Sequence, residues 1–238
     1  MQVVVPAAGV GSRLRPLTDD RPKALLEIDG RPLLSYTFDR LLEIDPDRIV
    51  VVIGYRGEQI SSHFGTRYGG VPIEYVTQDE QLGLAHAIAQ AEHAIEGCEE
   101  FLVVNGDNVF DCSLAPIVDR QTDPSVDATL LVESTDPTTA RSTGVVITRE
   151  DGSVAGLLEK PDDPPSTLIT TGVYGLPESI FEWVRRIDPS DRGEYELPDA
   201  IDRLRRAGAT VATVRLEGRR VNVNTPADLD RAATLLSD

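Results

Sequence analysis

Two lysines, Lys23 and Lys160, stand out in this chain of 238 residues, because the other 21 of its 23 basic residues are arginines. Lysine is normally among the commonest residues, so the two positions that keep it carry weight. A compact ammonium group is a point charge that suits a crowded phosphate, a use that the wider arginine fork does not match. We interpret both lysines as phosphate ligands; the alternative is that two cations stayed lysine by chance.

A glycine-containing loop follows residues 3–5, which predict a short buried strand. Its residues are Ala8, Gly9, Gly11, Ser12 and Arg13. Glycines in such a loop let backbone N–H groups approach phosphate oxygens, and Arg13 adds a forked cation. The loop lacks the third glycine of a dinucleotide fingerprint and the Gly-Lys-Ser/Thr of a P-loop, so a plain turn is the alternative. Lys23, ten residues after Arg13, favours phosphate binding.

Asp107 is the candidate metal ligand. It follows the apolar residues 101–104, which predict a strand, and open α/β sheets place ligands at the carboxyl ends of strands. A carboxylate there suits a hard divalent cation that is shared with phosphates. An ordinary turn aspartate is the alternative.

The elements that must position these residues alternate in the first half of the chain. Strands are predicted at residues 48–53, 73–76 and 101–104, and helices at residues 33–42, 58–64 and 84–95. This alternation predicts a mostly parallel central sheet with helices on both faces. The predicted helix 84–95 carries His86 and His93 on one face, but no third metal ligand is evident, so we interpret the histidines as structural or exposed.

The second half has a different pattern. Strands without intervening helices are predicted at residues 129–132, 145–148, 154–158 and 171–174, and Asp151-Gly152 is a hairpin signal. We expect a small antiparallel layer added to the first sheet. The later predictions are helices at residues 177–186 and 197–207, strands at 210–214 and near Val221, and a helix from Pro226.

Composition limits the partners of the chain. Its 40 acidic against 23 basic residues give a formal net charge of −17, and a field of this sign repels nucleic acid and anionic membranes. Scarce lysine with abundant acid indicates a high-salt interior, although an ordinary acidic protein is the alternative. Cys98 and Cys112 form no disulfide or metal pattern. With no leader and no membrane-spanning segment evident, we expect a cytoplasmic protein.

These motifs resemble the signature of the sugar nucleotidyltransferases, or nucleotide-sugar pyrophosphorylases. The matching residues are Gly9, Gly11, Ser12, Arg13, Leu14, Pro16, Thr18, Pro22 and Lys23. The likeness covers essentially the whole chain and is strongest to glucose-1-phosphate uridylyl- and thymidylyltransferases, including those of halophilic archaea. It implies an α/β, Rossmann-like nucleotidyltransferase fold in one domain, residues 1–238. The nucleotide-binding part would cover roughly 1–110 and the sugar-phosphate-binding part roughly 111–238.

The resemblance implies a nucleotide site in the first of these parts. Arg13 and Lys23 would grip the nucleoside triphosphate and the departing pyrophosphate, and Asp107 would hold Mg²⁺. Gln78 and Gly83 would read the base, since an amide offers a donor and an acceptor to uracil or thymine; a polar loop before a helix is the alternative. The nucleotide-binding set is Ala8, Gly9, Gly11, Ser12, Gln78 and Gly83.

The resemblance also implies a sugar-phosphate site. Lys160 would meet the sugar phosphate, Glu159 would take sugar hydroxyls, and Gly144 would let the backbone approach the sugar. Thr171 begins a matching segment at residues 171–174. Arg192 either reaches the phosphate or is a surface cation at a helix start.

One departure concerns Asn222, because the closest relatives have an aspartate there as a second metal ligand, with a glycine two residues later. This chain has Asn222 and Asn224. An amide oxygen still ligates Mg²⁺ but carries no charge. Asn222 is then a neutral ligand, which we favour, or the metal is held weakly, or the site is degenerate; a polar residue ending a strand is the structural alternative.

The implied reaction joins an NTP and a sugar-1-phosphate to give an NDP-sugar and pyrophosphate, with Arg13, Lys23, Asp107 and Lys160 as catalytic residues and Mg²⁺ as cofactor. UTP with glucose-1-phosphate is the favoured pair, and dTTP with the same sugar is the alternative. A non-catalytic subunit that senses nucleotide sugars is an alternative of another class. The expected partners are these small molecules, without nucleic acid or membrane, and a homo-oligomer remains possible.

Overall fold

A ten-stranded mixed sheet forms the centre of the computed structural model, which describes residues 1–150 and 152–237. The strands in chain order are β1 (Gln2–Pro6), β2 (Glu27–Ile28), β3 (Arg31–Pro32), β4 (Arg48–Ile53), β5 (Arg67–Tyr68), β6 (Val71–Thr77), β7 (Glu100–Val104), β8 (Asn108–Phe110), β9 (Ala128–Ser134), β10 (Gly144–Thr148), β11 (Val154–Glu159), β12 (Leu168–Pro177), β13 (Val211–Arg215) and β14 (Arg220–Asn222). Strands β2 with β3, and β8 with β14, form separate two-stranded sheets.

The helices connect and cover these strands. They are α1 (Leu33–Leu42), α2 (Gly57–Phe64), α3 (Leu84–Ala89), α4 (Ala115–Gln121), α5 (Pro137–Ala140), α6 (Ile180–Val184), α7 (Leu197–Arg206) and α8 (Pro226–Ser237). Short 3₁₀ helices occupy Ser12–Leu14, Lys23–Leu25 and Glu92–Ile95. Within the described residues no helix could cross a membrane, since even α8 has 12 residues where about 20 are needed.

Valine-rich strands fill the middle of the sheet because both of its faces are covered. β1 pairs in parallel with β4 and β7, with Val4 opposite Val50 and Val103. Alternate residues point to opposite faces, so Val4 packs with α3, α6 and α7, whereas Val3 packs with α1, α2 and α4. The predicted sheet with helices on both faces is confirmed.

Strand β12 joins this sheet to the antiparallel strands of the second half. Its last part pairs with β7, with Tyr174 opposite Val103, and its first part pairs with β10, with Ile169 opposite Val145. β9 lies along the other edge of β12 and pairs in parallel with β13. β10 and β11 form the predicted antiparallel hairpin, although Asp151 of its turn lies outside the described residues. The antiparallel layer is therefore a hairpin attached to one long strand.

The predicted helix 84–95 is wrong in its second half. α3 ends at Ala89, and the backbone bonds then tighten to three-residue spacing, with Ala91 N donating to Ile88 O (2.9 Å) and Ala94 N to Ala91 O (3.0 Å). His86 and His93 therefore do not share one helical face.

Two other helix predictions also need correction. The helix predicted to begin at residue 177 starts at Ile180, because Pro177 still pairs with Glu100 in the sheet. The strands after β9 are interrupted by the short helix α5, which the sequence prediction missed. Its N-cap Asp136 accepts hydrogen bonds from the backbone N–H groups of Thr138 and Thr139 at 2.8 and 3.1 Å.

Candidate active site

Two adjoining cavities lie where β1 and β7 end. The larger has a volume of about 560 Å³ and the smaller about 240 Å³. The residues that line both are Arg13, Leu84, Asn105, Asp107, Glu194 and Asn224. Because the cavities share these walls, a ligand or a pair of ligands can extend from one into the other.

The glycine loop forms one side of the larger cavity. Gly11 has φ +67° and its missing Cβ would lie 3.1 Å from Lys23 Cβ, so backbone conformation and packing both favour glycine there. At Gly9 a Cβ would meet no described atom within 4 Å, so the fold itself does not need glycine. A glycine at this position would be needed if a ligand approaches the backbone closely. Ala8 and Ser12, also predicted for nucleotide binding, line the same cavity.

The ammonium group of Lys23 lies between two side-chain oxygen atoms in the wall of this cavity. Its Nζ is 2.8 Å from Asp107 Oδ2 and 3.0 Å from Asn224 Oδ1, and its side chain is only 13 % exposed. Asn108 Nδ2 donates to the other carboxylate oxygen of Asp107 at 3.1 Å. The fold thus brings the predicted phosphate ligand and the predicted metal ligand into one ion pair.

Two buried amide oxygens face this region without protein partners. Asn222 Oδ1 and Asn105 Oδ1 accept no hydrogen bond from any described residue, although both residues line the smaller cavity. An orphaned buried acceptor is costly unless a cation or water satisfies it. The described residues contain no group of three or more His, Cys, Asp and Glu side chains that could hold a metal. A cation bound here would therefore be coordinated by the Asp107 carboxylate, by amide oxygens and by oxygen atoms of a bound substrate.

The smaller cavity contains the predicted sugar-phosphate residues Gly144, Glu159, Lys160 and Thr171. A Cβ at Gly144 would lie 2.8 Å from Thr170 Oγ1 and 3.2 Å from Glu159 Oε2, so only glycine leaves this wall undisturbed. Lys160 Nζ is 3.3 Å from Glu159 Oε1.

Burial raises the pKa of Glu159 above its usual range, and the negative charge of Glu196 adds to this effect against the opposing charge of Lys160. Glu196 is itself 4 % exposed and lines the same cavity. Glu159 and Glu196 thus join Asp107 and Glu194 among the carboxylates that line the smaller cavity. Such acceptor-only groups suit a ligand rich in hydroxyl donors.

Arg192 and Thr171 have partners inside the protein. Arg192 lines neither cavity in the described part of the chain, and its guanidinium binds Glu196 Oε1 at 2.6 Å. Thr171 Oγ1 donates to the carbonyl oxygen of Leu131 at 3.0 Å. Arg192 thus contacts a carboxylate in the wall of the smaller cavity rather than the cavity itself.

Sequence reasoning missed three residues of the site, Glu196, Arg220 and Asn224. Arg220 is 6 % exposed and its guanidinium bonds both Glu133 Oε1 (2.9 Å) and Asn108 Oδ1 (2.7 Å). A signal for Arg220 was present, because residues two apart on a strand share a face and Asn222 had already been singled out. Asn224 had been noted only as a residue that stands where relatives have a glycine, two residues after Asn222, and no role was assigned to it.

Gln78 lies at the opposite end of the larger cavity and is 4 % exposed. Its Nε2 lies 3.2 Å from Gly83 O and 2.9 Å from His86 Nδ1. Gly83 has φ +99°, and a Cβ there would lie 2.7 Å from Tyr195 O. The predicted base-reading pair is therefore in direct contact, and His86 belongs to the same group.

Comparisons with known proteins identify the family of this chain. The model of the family described as nucleotidyl transferase matches residues 2–221. The UTP–glucose-1-phosphate uridylyltransferase AglF of Haloferax volcanii is 44 % identical over 238 residues, covering 100 % of this chain and 97 % of that protein. The bifunctional protein GlmU of Methanococcus vannielii is 35 % identical over 210 residues, which are 86 % of this chain and 47 % of that protein, so the chain spans about half of that relative.

Solved structures show the same fold. The crystal structure of a candidate glucose-1-phosphate thymidylyltransferase from Bacillus anthracis, in complex with a sucrose, has a TM-score of 0.89 at 28 % identity and covers 100 % of this chain and 96 % of that one. A UDP-glucose pyrophosphorylase complexed with UDP-glucose has a TM-score of 0.90 at 24 % identity, covering 99 % and 98 %. With a family model that matches most of its length and a relative that is similar from end to end, this chain belongs to the nucleotidyl transferase family.

Proposed function

We propose that this enzyme transfers the uridylyl group of UTP to glucose-1-phosphate and releases pyrophosphate. The observation that carries the proposal is the pair of cavities that share Arg13, Asp107 and Asn224, one lined by a glycine loop and the other by buried carboxylates. The uridylyltransferase name of the end-to-end Haloferax relative supports the same substrates. dTTP is the second candidate nucleotide, since an amide such as Gln78 reads uracil and thymine alike.

In the proposed reaction, a phosphate oxygen of glucose-1-phosphate attacks the α-phosphorus of UTP. The bond from that phosphorus to the oxygen bridging the β-phosphorus breaks, and the electron pair leaves with pyrophosphate. The nucleophile is already anionic, so no general base is required. Catalysis then consists of positioning and charge neutralisation.

The cations of the site are divided between the two substrates. Lys23 and Arg13, at the larger cavity, offset the charge that develops on pyrophosphate. Lys160, at the smaller cavity, holds the phosphate of the sugar near the α-phosphorus. The ion pairs of Lys23 with Asp107 and of Lys160 with Glu159 keep both ammonium groups in place.

Enzymes of this family generally use a divalent metal ion, and the residues present fit Mg²⁺. The Asp107 carboxylate would hold it together with an amide oxygen, and the buried orphaned Oδ1 of Asn222 supports that residue as the second ligand. Asn224 Oδ1, which lies 3.0 Å from the Lys23 ammonium, is the other amide oxygen within reach of a cation. When bound, Mg²⁺ would polarise the α-phosphate and neutralise its charge.

The sugar preference rests on the smaller cavity. Glu159 and Glu196 offer acceptors to hydroxyl groups, and Thr170 stands where N-acetylglucosamine enzymes have an asparagine. These residues favour an unmodified hexose phosphate over the 2-acetamido sugar.

The experiment is pyrophosphate release in about 2 M KCl, a trial concentration prompted by the acidic surface. UTP, dTTP, CTP, GTP and ATP are crossed with the 1-phosphates of glucose, galactose, mannose and N-acetylglucosamine, with and without Mg²⁺. We expect Mg²⁺-dependent release with UTP and glucose-1-phosphate. If the folded protein releases no pyrophosphate with any of these pairs, the proposal is contradicted. That result would favour a subunit that senses nucleotide sugars without turnover.

A further inference from the structure

We propose that His86 is a positioning residue that fixes the amide of Gln78, so that Gln78 presents an acceptor and not a donor to the nucleotide base. The inference rests on the proposed function and deepens it, because it names the group that sets base selectivity. Its starting point is the contact between Gln78 Nε2 and His86 Nδ1 at 2.9 Å.

The amide nitrogen of Gln78 has two hydrogens, and both have acceptors inside the protein. One points to the carbonyl oxygen of Gly83 at 3.2 Å and the other to Nδ1 of His86. Because amide nitrogens only donate, this contact is a hydrogen bond when Nδ1 is the unprotonated nitrogen of a neutral ring, and we infer that tautomer. The amide oxygen of Gln78 is then the group left for a ligand in the cavity that Gln78 lines.

The surroundings of His86 hold the ring in this orientation. Tyr195 lies against it with ring centroids 6.5 Å apart. Gln90 Nε2 donates to the backbone carbonyl of His86 at 3.1 Å and lies 3.3 Å from the ring nitrogen Nε2. A neutral imidazole has one acceptor nitrogen, so it accepts from only one of the two amide nitrogens. The 2.9 Å contact with Gln78 favours Nδ1 as that acceptor, and the Gln90 nitrogen already donates to the carbonyl oxygen of His86.

A hydrogen-bond acceptor held in a fixed position discriminates between the pyrimidine bases. Uracil and thymine carry an N3–H donor, which the Gln78 oxygen accepts. Cytosine has an unprotonated acceptor at N3, so the same oxygen would face it with like partial charge. Rotating the amide to offer a donor would break both internal hydrogen bonds and leave buried polar groups unsatisfied, which is unfavourable. His86 thereby makes the preference for uracil and thymine a property of the folded protein.

The test compares His86→Phe, which keeps a ring but has no acceptor, with His86→Gln, which returns an acceptor oxygen. We expect His86→Phe to raise the KM for UTP about tenfold and to lower the UTP-to-CTP ratio of kcat/KM about fivefold, at an unchanged KM for glucose-1-phosphate. His86→Gln should recover most of both losses. His93→Phe is the matched control, because His93 is exposed and outside both cavities, and it should change neither value.

A second measurement does not depend on a variant that folds. Long-range ¹⁵N–¹H correlation spectra of the wild-type histidines should show His86 protonated on Nε2. A proton on Nδ1 would overturn the inference, and so would a folded His86→Phe with wild-type UTP affinity and selectivity. Equal damage in His86→Gln and His86→Phe would leave His86 a packing residue only. If the wild type releases no pyrophosphate from UTP with any sugar phosphate, the proposed function fails instead, and the spectra separate the two outcomes.

Discussion

The two cavities of this enzyme are lined by different chemistry. The larger is built from a glycine loop and from the cations Lys23 and Arg13. The smaller is lined by the carboxylates of Glu159, which is partly buried, and Glu196, which is buried, together with Lys160. A polyanion needs backbone donors and cations, whereas a sugar needs acceptors for its hydroxyls. In a chain with a net charge of −17, the cations Lys23 and Arg13 both line the cavity where the triphosphate is proposed to bind.

The cavities also differ in how the chain assembles them. The phosphate-binding side comes largely from one stretch near β1 and from Lys23 soon after it. The sugar side collects the hairpin β10–β11, the bulge in β12 near Gly172 and the segment before α7. Local sequence therefore determines the glycine loop of the first cavity, whereas the rest of that cavity and the whole of the second depend on tertiary pairing.

Lys23→Met gives the sharpest test of the phosphate side. Removing the ammonium should lower kcat/KM by two or more orders of magnitude, because charge on the leaving pyrophosphate loses its partner. Lys160→Met should lower kcat/KM comparably, but with a larger part of the loss in the KM for glucose-1-phosphate. Steady-state pyrophosphate release measures both. Arg21→Met, which removes an exposed cation two residues from Lys23, is the control; near-full activity of Lys23→Met would contradict the assigned role.

The proposed metal ligands line the smaller cavity, which shares Asp107 and Asn224 with the larger, and are tested by titrating Mg²⁺. Asn222→Ala should raise the Mg²⁺ concentration for half-maximal rate about 10- to 100-fold, and Asn222→Asp should lower it by adding a charged oxygen ligand. Asn224→Ala in the same titration shows which amide oxygen matters more. An unchanged Mg²⁺ requirement in Asn222→Ala would assign the second ligand to Asn224.

The sugar side should respond to pH through Glu159. Since burial raises the pKa of this carboxyl, it takes up a proton at a higher pH than an ordinary glutamate. The KM for glucose-1-phosphate should therefore be lowest above the raised pKa and increase about tenfold as the pH falls through it, because a neutral carboxyl is a poorer acceptor and a weaker partner for Lys160.

The matched variant for this pH effect is Glu159→Gln, which cannot titrate. The substrate phosphate itself titrates near pH 6, at about the value of other phosphate monoesters, so the ratio of wild-type to variant KM at each pH isolates Glu159. A ratio that stays constant with pH would exclude Glu159 as the titrating group. Changes confined to the KM for UTP would place the effect in the larger cavity instead.

The smallest expected effect concerns the protein surface. With 40 acidic residues, the folded chain should be stabilised when salt screens their repulsion, so the Tm should rise by several degrees between about 0.2 and 2 M KCl. Thermal melting at fixed pH measures this rise. A Tm that is indifferent to KCl would show that the acidic composition is not an adaptation to salt.

The fold class predicted from the sequence is confirmed, and the residues predicted to bind phosphate lie together at one cavity, because contiguous signals carry both. Strands alternate with helices up to β7, and Gly9, Gly11, Arg13 and Lys23 lie within 15 residues of chain. The helix predicted from hydrophobic periodicity at residues 84–95 was wrong in its second half, because a 3₁₀ turn keeps apolar residues three apart much as an α-helix does.

The rest of the site depends on contacts that no local pattern encodes. Lys23 meets Asn224 across 201 residues of chain, and Arg220 meets Asn108 across 112. The contact of Gln78 with His86 is short in sequence, but it needs the turn at Gly83, whose φ of +99° only the folded backbone reveals.

Because lysine is scarce, covalent labelling of amines can report on the individual cavities of this enzyme. Lys23 and Lys160 carry its only side-chain amines, and their side chains are 13 % and 36 % exposed. An amine-acylating reagent should modify Lys160 before Lys23, and each acyl group adds a known mass to a different peptide. Protection of one peptide by a nucleotide and of the other by a sugar phosphate would report the occupancy of each cavity separately, without any turnover.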